Sequence, residues 1–430
     1  MEQKRKIAFH TLGCKLNFSE TSSISRQFTT NEFEQVAFTE PADIYVINSC
    51  TVTKNAEKTC KVLIRKAMRT NPAAHVAVIG CFSQINPEEL KTIEGVDVVL
   101  GNADKFNLFE HLKGLENSRQ PGLVAEVQVH EPEAFVPSWS AEDRTRSFFK
   151  IQDGCDYFCS YCSIPLARGH SRSNTIEATL ESAMQIAQTN IKEIVLTGVN
   201  IGDFGKLNNE TFFDFLKELV KIEGIERIRI SSIEPDLLHD EIIELVANEP
   251  KLMPHFHIPL QSGSNAVLRA MGRHYDISVF ESRVQKIRSL MPLACIAADL
   301  IVGFPAETDA LFEESLHFVK NTDISYIHVF TYSERENTRA LKIEGHIPPA
   351  IRQQRSKQMQ RLSDLKKKFF YLKNKGCKAV VLWEKDNTGG FMHGFTENYI
   401  KVKTRLDPAL ENQLQQVVLN QLEDDGVYLV

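Results

Sequence analysis

The sequence contains no run of eighteen apolar residues, and a helix needs about that many to cross a lipid bilayer. The first six residues are basic, but they lead into a strand-like segment without the long apolar core or the A-x-A site of a signal peptide. We therefore expect a cytoplasmic protein that does not associate with a membrane. An excess of positive charge is also missing, since the formal net charge is −6. A nucleic-acid partner would therefore have to bind a local basic patch.

The composition is otherwise that of a folded globular protein. With 430 residues, of which 42% are hydrophobic and 25% are charged, the chain is long enough for two or three domains. Its nine cysteines are an odd number. In a chain without a predicted signal peptide, this favours a reducing compartment and a use of cysteine in metal binding or catalysis rather than in disulfides.

Three cysteines lie within eight residues and have the spacing C-x3-C-x2-C: they are Cys155, Cys159 and Cys162. Three thiolates on one loop can each bind one iron of a cubane iron–sulfur cluster. The fourth iron then has no protein ligand, and an open metal position is where substrate chemistry takes place. No further cysteine follows before Cys295. The alternatives are a zinc site completed by His170, a disulfide, or three unrelated thiols.

The first 120 residues alternate short apolar segments with helical patterns, which indicates an open parallel sheet with helices on its faces. We predict strands at 6–12, 43–48, 75–79 and 96–100 and helices at 17–30, 53–69, 87–93 and 104–112. Cys14, Cys50 and Cys81 each follow one of the first three strands, and the carboxyl ends of parallel strands meet at one edge of a sheet. We interpret them as a second set of three cluster ligands. The alternative is that they are small buried residues, as we expect for the mid-helix Cys60.

Residues 121–146 include several prolines and glutamates and one candidate strand at 123–129, and we interpret them as a linker. Between 147 and 345 six strands alternate with helices, which predicts a partial barrel with its chemistry at the carboxyl ends of the strands. The six strands are predicted at 147–151, 193–197, 227–231, 255–258, 297–302 and 326–332. The cluster loop follows the first strand, and polar or glycine-rich segments follow the next four. Cys295 is expected in the core, and His257 and His328 are expected to be packed or hydrogen-bonded rather than metal ligands.

Basic residues are concentrated in a long helix predicted at 351–375, within a linking segment at 346–375. The helix carries nine lysines and arginines but one aspartate, a pattern that indicates contacts with phosphate groups. The RNA-binding candidates are Arg352, Arg355, Lys366, Lys367, Lys368 and Lys373. Residues 376–430 contain short β-segments separated by turns, which predicts a small β-barrel. Such barrels often bind RNA, and the alternative is a structural cap.

The segment KIQDGCDYFCSYCSIPLARG around the first cysteine set resembles the signature of radical S-adenosylmethionine (SAM) enzymes and, within them, of the methylthiotransferases. TLGCKLN, INSCTVT and IGCFSQ are similar to the three cysteine segments of the N-terminal domain of that family. PLQSGSNAVLRAMGRHY, DLIVGFP and YSERENTRA are similar to its SAM barrel, and GFTENYIKV to its C-terminal TRAM domain. The sequence is most similar to the type that acts on N6-threonylcarbamoyladenosine in tRNA.

The resemblance implies SAM and two [4Fe-4S] clusters as cofactors, with one cluster held by each set of three cysteines. The implied SAM contacts are Tyr161, Gly198, Val199, Asn200, Ser232, Glu234, Gln261, Ser262, Asp299 and Gly303. Ala306 and Asn337 depart from the family, which has glycine at both positions, and these departures bear on the expected turn geometry.

The implied reaction converts N6-threonylcarbamoyladenosine at position 37 of tRNA into its 2-methylthio derivative. Cleavage of SAM yields a 5′-deoxyadenosyl radical that removes hydrogen from C2, sulfur from the second cluster enters, and a second SAM supplies the methyl group. The implied partners are tRNA, an electron donor such as a flavodoxin or ferredoxin, and a sulfur source. Two other interpretations stay open. One is the same chemistry on isopentenyl-adenosine in tRNA or on a ribosomal protein, and the other is a non-catalytic iron–sulfur protein that binds RNA.

Overall fold

The computed structural model describes residues 4–28, 32–113, 115, 126–141 and 145–430. These residues form an N-terminal parallel sheet with its helices, a partial barrel of parallel strands and a C-terminal sheet. No helix among them is both long enough and apolar enough to span a membrane.

The N-terminal sheet is parallel throughout. Its strands are β1 (Arg5–Thr11), β2 (Phe33–Val36), β3 (Ile44–Ser49), β4 (His75–Gly80), β5 (Val98–Leu100) and β6 (Glu126–Gln128), in the spatial order β2-β1-β3-β4-β5-β6. Its helices are α1 (Lys15–Ser25), α2 (Lys54–Thr70), α3 (Cys81–Ile85), α4 (Pro87–Lys91) and α5 (Leu108–Lys113). Every residue of β3 and β4 is buried, as expected for strands covered by helices on both faces.

Two strands of this sheet extend the predicted pattern. The edge strand β2 was not predicted, and β6 lies in the segment 121–146 that the sequence analysis interpreted as a linker. Residues 121–125 of that segment, with part of the strand predicted at 123–129, lie outside the described residues. The described part of the segment is therefore not only a connection, because β6 pairs with β5 and completes the N-terminal sheet.

The partial barrel contains the six strands that the sequence predicted, preceded by one short strand. They are β7 (Ser138–Trp139), β8 (Arg146–Lys150), β9 (Glu193–Thr197), β10 (Arg227–Ile230), β11 (His255–Gln261), β12 (Cys295–Val302) and β13 (Tyr326–Thr331). β8 to β10 pair in parallel, as do β11 to β13, and single bridges from Ile228 and Ser232 join the two groups. The helices are α6 (Ile164–Arg168), α7 (Ile176–Ala187), α8 (Phe212–Leu219), α9 (Asp240–Asn248), α10 (Asn265–Met271), α11 (Ile277–Leu290) and α12 (Asp309–Asn321).

The N-terminal domain lies across the open side of this barrel, between β8 and β13. On one side α1 packs against β7 and β8. On the other side, beyond β13, Arg335 donates a hydrogen bond of 2.7 Å to Thr51 and forms an ion pair with Glu57. The cysteine-bearing edge of the N-terminal sheet is thereby held next to the barrel interior.

The C-terminal region consists of one long helix, α13 (Pro349–Lys373), and a six-stranded sheet. The strands are β14 (Lys378–Trp383), β15 (Phe391–Thr396), β16 (Lys401–Arg405), β17 (Leu414–Val418), β18 (Gln421–Leu422) and β19 (Tyr428–Leu429), in the order β17-β14-β15-β16-β19-β18. All its pairs are antiparallel except β16 with β19, which agrees with the predicted small β domain. It packs on the amino ends of the barrel strands, where Cys295 joins its apolar core as predicted.

Candidate active site

The loop with the first cysteine set is shaped by a glycine. Gly154 has φ +71°, and a Cβ at this position would lie 1.9 Å from the carbonyl oxygen of His170, so a side chain cannot be accommodated there. The amide of Cys155 donates a hydrogen bond of 3.1 Å to the carbonyl of Gly169, and Asp153 pairs with Arg172 across the loop. Backbone bonds therefore fix the loop immediately before its first thiol.

The three thiols of this loop lie near one another and accept hydrogen bonds. The amides of Tyr157 and Ile164 donate to the sulfurs of Cys155 and Cys162, each at 3.5 Å, and Arg273 donates to the Sγ of Cys159 at 3.2 Å. Burial raises the pKa of Cys155 and of Cys162 to about 12, and the neighbouring thiols contribute to both shifts. A bound cationic cluster would reverse this preference, because metal ligation requires the thiolates and releases their protons.

The second cysteine set is assembled from three adjacent strands. Cys14 follows β1, Cys50 follows β3 and Cys81 begins α3 directly after β4, as the sequence predicted. Asn17 ties the first two segments together, since its Nδ2 donates to the carbonyls of Leu12 and Ser49 at 2.8 and 3.0 Å. Burial raises the pKa of Cys50 to about 12, with further contributions from the Cys81 and Cys14 thiols. The three thiols thus share one environment.

A buried network of charges connects this edge to the first cysteine loop. Glu20 on α1 is fully buried and accepts hydrogen bonds from Lys105, Lys150 and Arg168 at 2.5 to 3.0 Å. Arg168 also donates to Asp153 at 2.9 Å. Although burial opposes it, the three cations hold the pKa of Glu20 well below its usual value. Glu20 and Lys105 belong to the N-terminal domain and the other three residues to the barrel, so the network joins the two.

Three further contacts bring this network close to the second cysteine set. Arg168 donates a hydrogen bond of 2.6 Å to Asn17, the residue that holds the Cys14 segment. Asn102 accepts a hydrogen bond from Lys105 at 2.8 Å and donates to the Cys81 sulfur at 3.6 Å. Sequence reasoning did not find this network, because its members are scattered between positions 17 and 172 and form no local motif.

The predicted SAM contacts after β9 are organised by a residue that was not predicted. Gln152 accepts hydrogen bonds from the amides of Val199 and Asn200 at 2.9 and 2.8 Å and donates to the carbonyl of Gly154 at 2.8 Å. It thereby links the loop after β9 to the cysteine loop. A Cβ on Gly198 would lie 2.9 Å from the Gln152 Oε1, so this glycine permits the close approach.

One buried acceptor atom without a hydrogen-bond partner supports the fit of this region to the amino group of SAM. The buried Oδ1 of Asn200 has no hydrogen-bond partner among the residues that the structure describes. It is therefore an acceptor available to an ammonium group, as the resemblance implied for residues 198–200.

The other predicted SAM contacts occupy the carboxyl ends of β10 to β12. Glu234 forms an ion pair with Arg273, which in turn reaches Cys159; burial raises the pKa of Glu234 to about 7 despite Arg273. Asp299 accepts a hydrogen bond of 2.8 Å from His257, as expected for a bonded histidine. Of the remaining predicted contacts, Tyr161 packs on Phe304. The others lie at or just after the ends of the same strands and are Ser232, Gln261, Ser262 and Gly303.

A cavity of about 780 Å³ occupies the barrel interior and reaches Cys14 at the edge of the N-terminal sheet. Its lining includes the amino end of α1, the inward-facing residues of the barrel strands and Tyr399 of the C-terminal domain. Charged and titratable side chains on it are Lys15, Arg146, Arg229, His255, His257, Asp299, His328 and Tyr399. Burial lowers the pKa of Lys15, whose ammonium is directed toward these groups. The cavity is therefore polar and carries more cationic than anionic groups.

Comparison with known proteins agrees with this geometry. Residues 6–101 match the uncharacterized protein family UPF0004, and residues 149–319 match the radical SAM superfamily. Threonylcarbamoyladenosine tRNA methylthiotransferase MtaB of Bacillus subtilis is 38% identical over 92% of this chain and 89% of its own length. This chain belongs to the radical SAM methylthiotransferase family. A tRNA-2-methylthio-N(6)-dimethylallyladenosine synthase of Bacillus velezensis is 32% identical over 91% of the chain and 79% of its own length.

A solved structure shares the fold of this methylthiotransferase at low sequence identity. The radical SAM methyltransferase TsrM from Kitasatospora setae, with cobalamin and a [4Fe-4S] cluster bound, matches with a TM-score of 0.54 and 14% identity. The match covers 76% of this chain and 75% of that one. SAM and [4Fe-4S] clusters are the cofactors of the family, as the resemblance implied.

The thiols of the two cysteine sets are not drawn together as closely as the ligands of one zinc ion. Thiolates around one tetrahedral zinc ion lie about 3.8 Å apart. Among the described residues, the group of Cys, His, Asp or Glu whose ligand atoms all lie within 4.8 Å of one another is His257, Asp299 and His328, and neither cysteine set is drawn together that closely. Within the residues that it describes, the structure therefore shows no preformed group of zinc ligands at either cysteine set.

The structure corrects the interpretation of the basic helix in part. Arg352 and Arg355 are buried, and they bind Glu334 and Glu307 inside the protein at 2.6 and 2.8 Å. Lys366 donates to the carbonyl of Thr322 at 2.8 Å. Lys367 and Lys368 are exposed, and Lys373 is exposed beside Asp323. The two arginines therefore fasten α13 to the barrel and are not available to RNA, whereas the exposed lysines are.

Proposed function

We propose that this protein converts N6-threonylcarbamoyladenosine at position 37 of tRNA into its 2-methylthio derivative. The observation that carries the proposal is the presence of two separate sets of three thiols, together with a polar cavity that reaches Cys14 of one set and Gly198 of the predicted SAM site. The family resemblance extends over nearly the whole chain, including both cysteine sets. A non-catalytic iron–sulfur protein would not need a cavity of this size beside its clusters.

The chain's own residues have distinct tasks in this reaction. Cys155, Cys159 and Cys162 would hold the cluster that binds SAM, and Cys14, Cys50 and Cys81 would hold the second cluster. When bound, these groups supply the cleavage of SAM to an adenosyl radical and the sulfur that enters C2 of the base. The barrel and the N-terminal domain together enclose the reacting groups and exclude water from them.

Gln152 and the Glu20 network position these groups. Gln152 fixes the loop that we assign to the SAM amino group relative to the cysteine loop. The Glu20 network fixes the N-terminal sheet relative to the barrel. Because the two cysteine sets belong to different sheets, their separation depends on this junction.

We assign tRNA binding to the exposed lysines of α13 together with the C-terminal sheet. Lys367 and Lys368 extend from the helix without an ion-pair partner among the described residues. Phosphate contacts of this kind position an RNA without specifying its sequence. The reaction also requires an electron donor, for which we propose a flavodoxin or ferredoxin, and a sulfur source. A tRNA substrate and a reductant of this kind would place the reaction in the cytoplasm.

Nucleoside mass spectrometry tests the function. The protein is reconstituted anaerobically with iron and sulfide and incubated with SAM, a reductant and anticodon stem-loops that carry either threonylcarbamoyl- or isopentenyl-adenosine. We expect the 2-methylthio product from the first substrate. Product from the isopentenyl substrate alone would assign the protein to the other tRNA reaction. SAM cleavage in neither case would support a non-catalytic role.

A further inference from the structure

Lys15 is placed where it can contact a substrate. It is the first residue of α1, directly after Cys14, and its side chain lines the central cavity. Among the residues that the structure describes, it has no hydrogen-bond or ion-pair partner. Lys15 is partly buried. Because an ammonium that is withdrawn from water without a counter-charge is unfavourable, this position favours the binding of an anion.

The neighbouring charges of the cavity are already paired. Arg229 forms an ion pair with Glu193 at 2.9 Å, and Arg146 pairs with Glu384 at 2.7 Å. Asp299, the one carboxylate on the cavity wall, is hydrogen-bonded to His257. The groups that act electrostatically on Lys15 are Tyr399, Arg146, Arg229 and Asp299. Because Arg146 and Arg229 have carboxylate partners, Lys15 is left as a cavity-lining cation without an ion pair among the described residues.

We propose that Lys15 binds the carboxylate of the threonyl group on the substrate base. The inference rests on the proposed function, because it concerns the part of the substrate that distinguishes threonylcarbamoyl-adenosine from isopentenyl-adenosine. The threonyl group carries a free carboxylate, whereas the isopentenyl group is uncharged and apolar. An apolar group in this cavity would leave Lys15 unpaired, and a site that leaves a buried polar group unpaired discriminates strongly against such a substrate.

Two other anions are separated from this assignment by their location. The residues assigned to SAM lie around Gly198–Asn200 and the loops after β10 to β12, and they include the ion pair of Glu234 with Arg273. Phosphates of the RNA backbone would bind the exposed lysines of α13, outside the barrel interior. The carboxylate at the end of the N6 substituent can instead enter the cavity together with the base.

The test compares two stem-loops with the wild-type protein. One carries threonylcarbamoyl-adenosine, and the other carries the same nucleoside with its carboxylate converted to the primary amide. We expect kcat/KM for methylthiolation to fall at least about tenfold with the amide, as is typical when a charged partner is lost from an enclosed site. Equal values for acid and amide would overturn the proposal. Absence of product from both would contradict the proposed function itself.

Substitution then assigns the effect to Lys15. We expect Lys15→Met to lose the preference for the acid over the amide and Lys15→Arg to retain part of it. The exposed Lys58→Met on α2 serves as the matched control and should keep the full wild-type preference. A Lys15→Met protein that still prefers the acid tenfold would refute the assignment. It would also be refuted if Lys15→Met raised the KM for SAM and left the acid-to-amide ratio unchanged.

Measurements of iron content and RNA affinity reveal whether a Lys15 substitution acts indirectly, through the cluster or through RNA binding. Because Lys15 adjoins Cys14, iron and sulfide are measured in each variant, and the acid-to-amide ratio is read only from protein with the wild-type iron content. If Lys15→Met loses iron, the acid-to-amide ratios of kcat/KM for the wild type and for Lys15→Arg decide whether Lys15 binds the carboxylate. An equal loss of affinity for both stem-loops in Lys15→Met would mean that Lys15 contacts a phosphate, and it would contradict the proposal.

Discussion

At the scale of single residues, seven non-glycine residues among those described have a positive φ, and two of them are Ala306 and Asn337. Ala306 has φ +68° and Asn337 has φ +63°, and the family resemblance implied a glycine at both positions. The amide of Ala306 donates a hydrogen bond of 3.1 Å to the carbonyl of Gly345. The turn after β12 is therefore retained without glycine. The left-handed conformation costs alanine more free energy than asparagine, because asparagine tolerates a positive φ better.

Replacement of Ala306 by glycine should stabilise the protein. The left-handed conformation costs alanine about 1 to 2 kcal/mol, and the greater freedom of glycine in the unfolded chain offsets about 0.5 to 1 kcal/mol of the gain. We expect a net increase of about 0.5 to 1 kcal/mol in the free energy of unfolding, measured by urea denaturation. The control is Asn337→Gly, which should change stability by less, since asparagine tolerates this conformation. A destabilised Ala306→Gly protein would show that the positive φ is not strained.

At the scale of elements, α13 presents two different faces. One face is buried and includes Arg352, Arg355, Met359 and Phe370. The opposite face exposes Lys367 and Lys368 to solvent. Counting charge along the sequence could not separate these faces, because Arg352 and Arg355 meet acidic partners that come from the loops after β12 and β13.

Substitution of Lys367 and Lys368 by alanine should weaken tRNA binding without changing stability. Each lost phosphate contact lowers the slope of log affinity against log salt by about 0.7 to 0.9, so we expect a slope reduced by up to about 1.8. Fluorescence anisotropy of labelled tRNA over a range of salt concentrations measures it. The control removes Lys217 on α8 and Lys221 just after it, which pair with the acidic α8 residues Asp214 and Glu218. An unchanged slope in the α13 variant would argue for a merely solvated helix face.

The elements show how far local sequence reasoning reaches. The six barrel strands and the strands β1, β3, β4 and β5 of the N-terminal sheet were predicted to within three residues at each end, because most of them are apolar runs followed by a polar turn. β2 and β6 were not identified as members of the sheet, since they are short edge strands whose pairing depends on β1 and β5. The cysteines of the second set were identified because each of them directly follows a predicted strand. Gln152 and Glu20 were missed because their roles arise from partners distant in sequence, and Lys15 was missed because only the fold places it on the cavity wall.

At the scale of the whole molecule, the N-terminal domain completes the barrel. The six strands leave a gap between β8 and β13, and α1 and the loop after β3 cover its two sides. The Glu20 network lies within this junction and carries four cations, Lys105, Lys150, Arg168 and Arg172, against two carboxylates, Glu20 and Asp153. The thiolates of the second cysteine set would bring further negative charge to this region.

Glu20→Gln should therefore destabilise the junction strongly. Removal of one partner from a buried ion pair costs about 3 to 5 kcal/mol, whereas Glu89→Gln in the partly exposed Lys61–Glu89 pair should cost less than about 1 kcal/mol. The pKa of Glu20 is depressed in the folded protein. The stabilisation that ionised Glu20 gives the folded protein is therefore fully present above its usual pKa of 4.5. This stabilisation is lost as the pH falls below that value. Urea midpoints of the wild type and of both variants at pH 7 and pH 4 measure these effects. The difference in midpoint between Glu20→Gln and Glu89→Gln should be smaller at pH 4 than at pH 7.

The division into two cysteine sets predicts two separable clusters. Replacement of Cys155, Cys159 and Cys162 by alanine should remove about four of about eight iron atoms per chain and abolish SAM cleavage. Replacement of Cys14, Cys50 and Cys81 should remove a similar amount of iron and leave SAM cleavage without RNA measurable, because the SAM-binding loop stays intact.

The chain provides a matched control for this experiment in its three other cysteines. Cys60, Cys295 and Cys377 lie outside both sets, and the first two belong to apolar cores. Their replacement by alanine removes the same number of thiols but should retain the full iron content after anaerobic reconstitution. Since Cys50 and Cys81 are buried and Cys14 follows the neighbouring strand at the edge of the cavity, we expect the loss of these three thiols to eliminate the second cluster as a unit. Full iron in that variant would place the second cluster elsewhere in the chain.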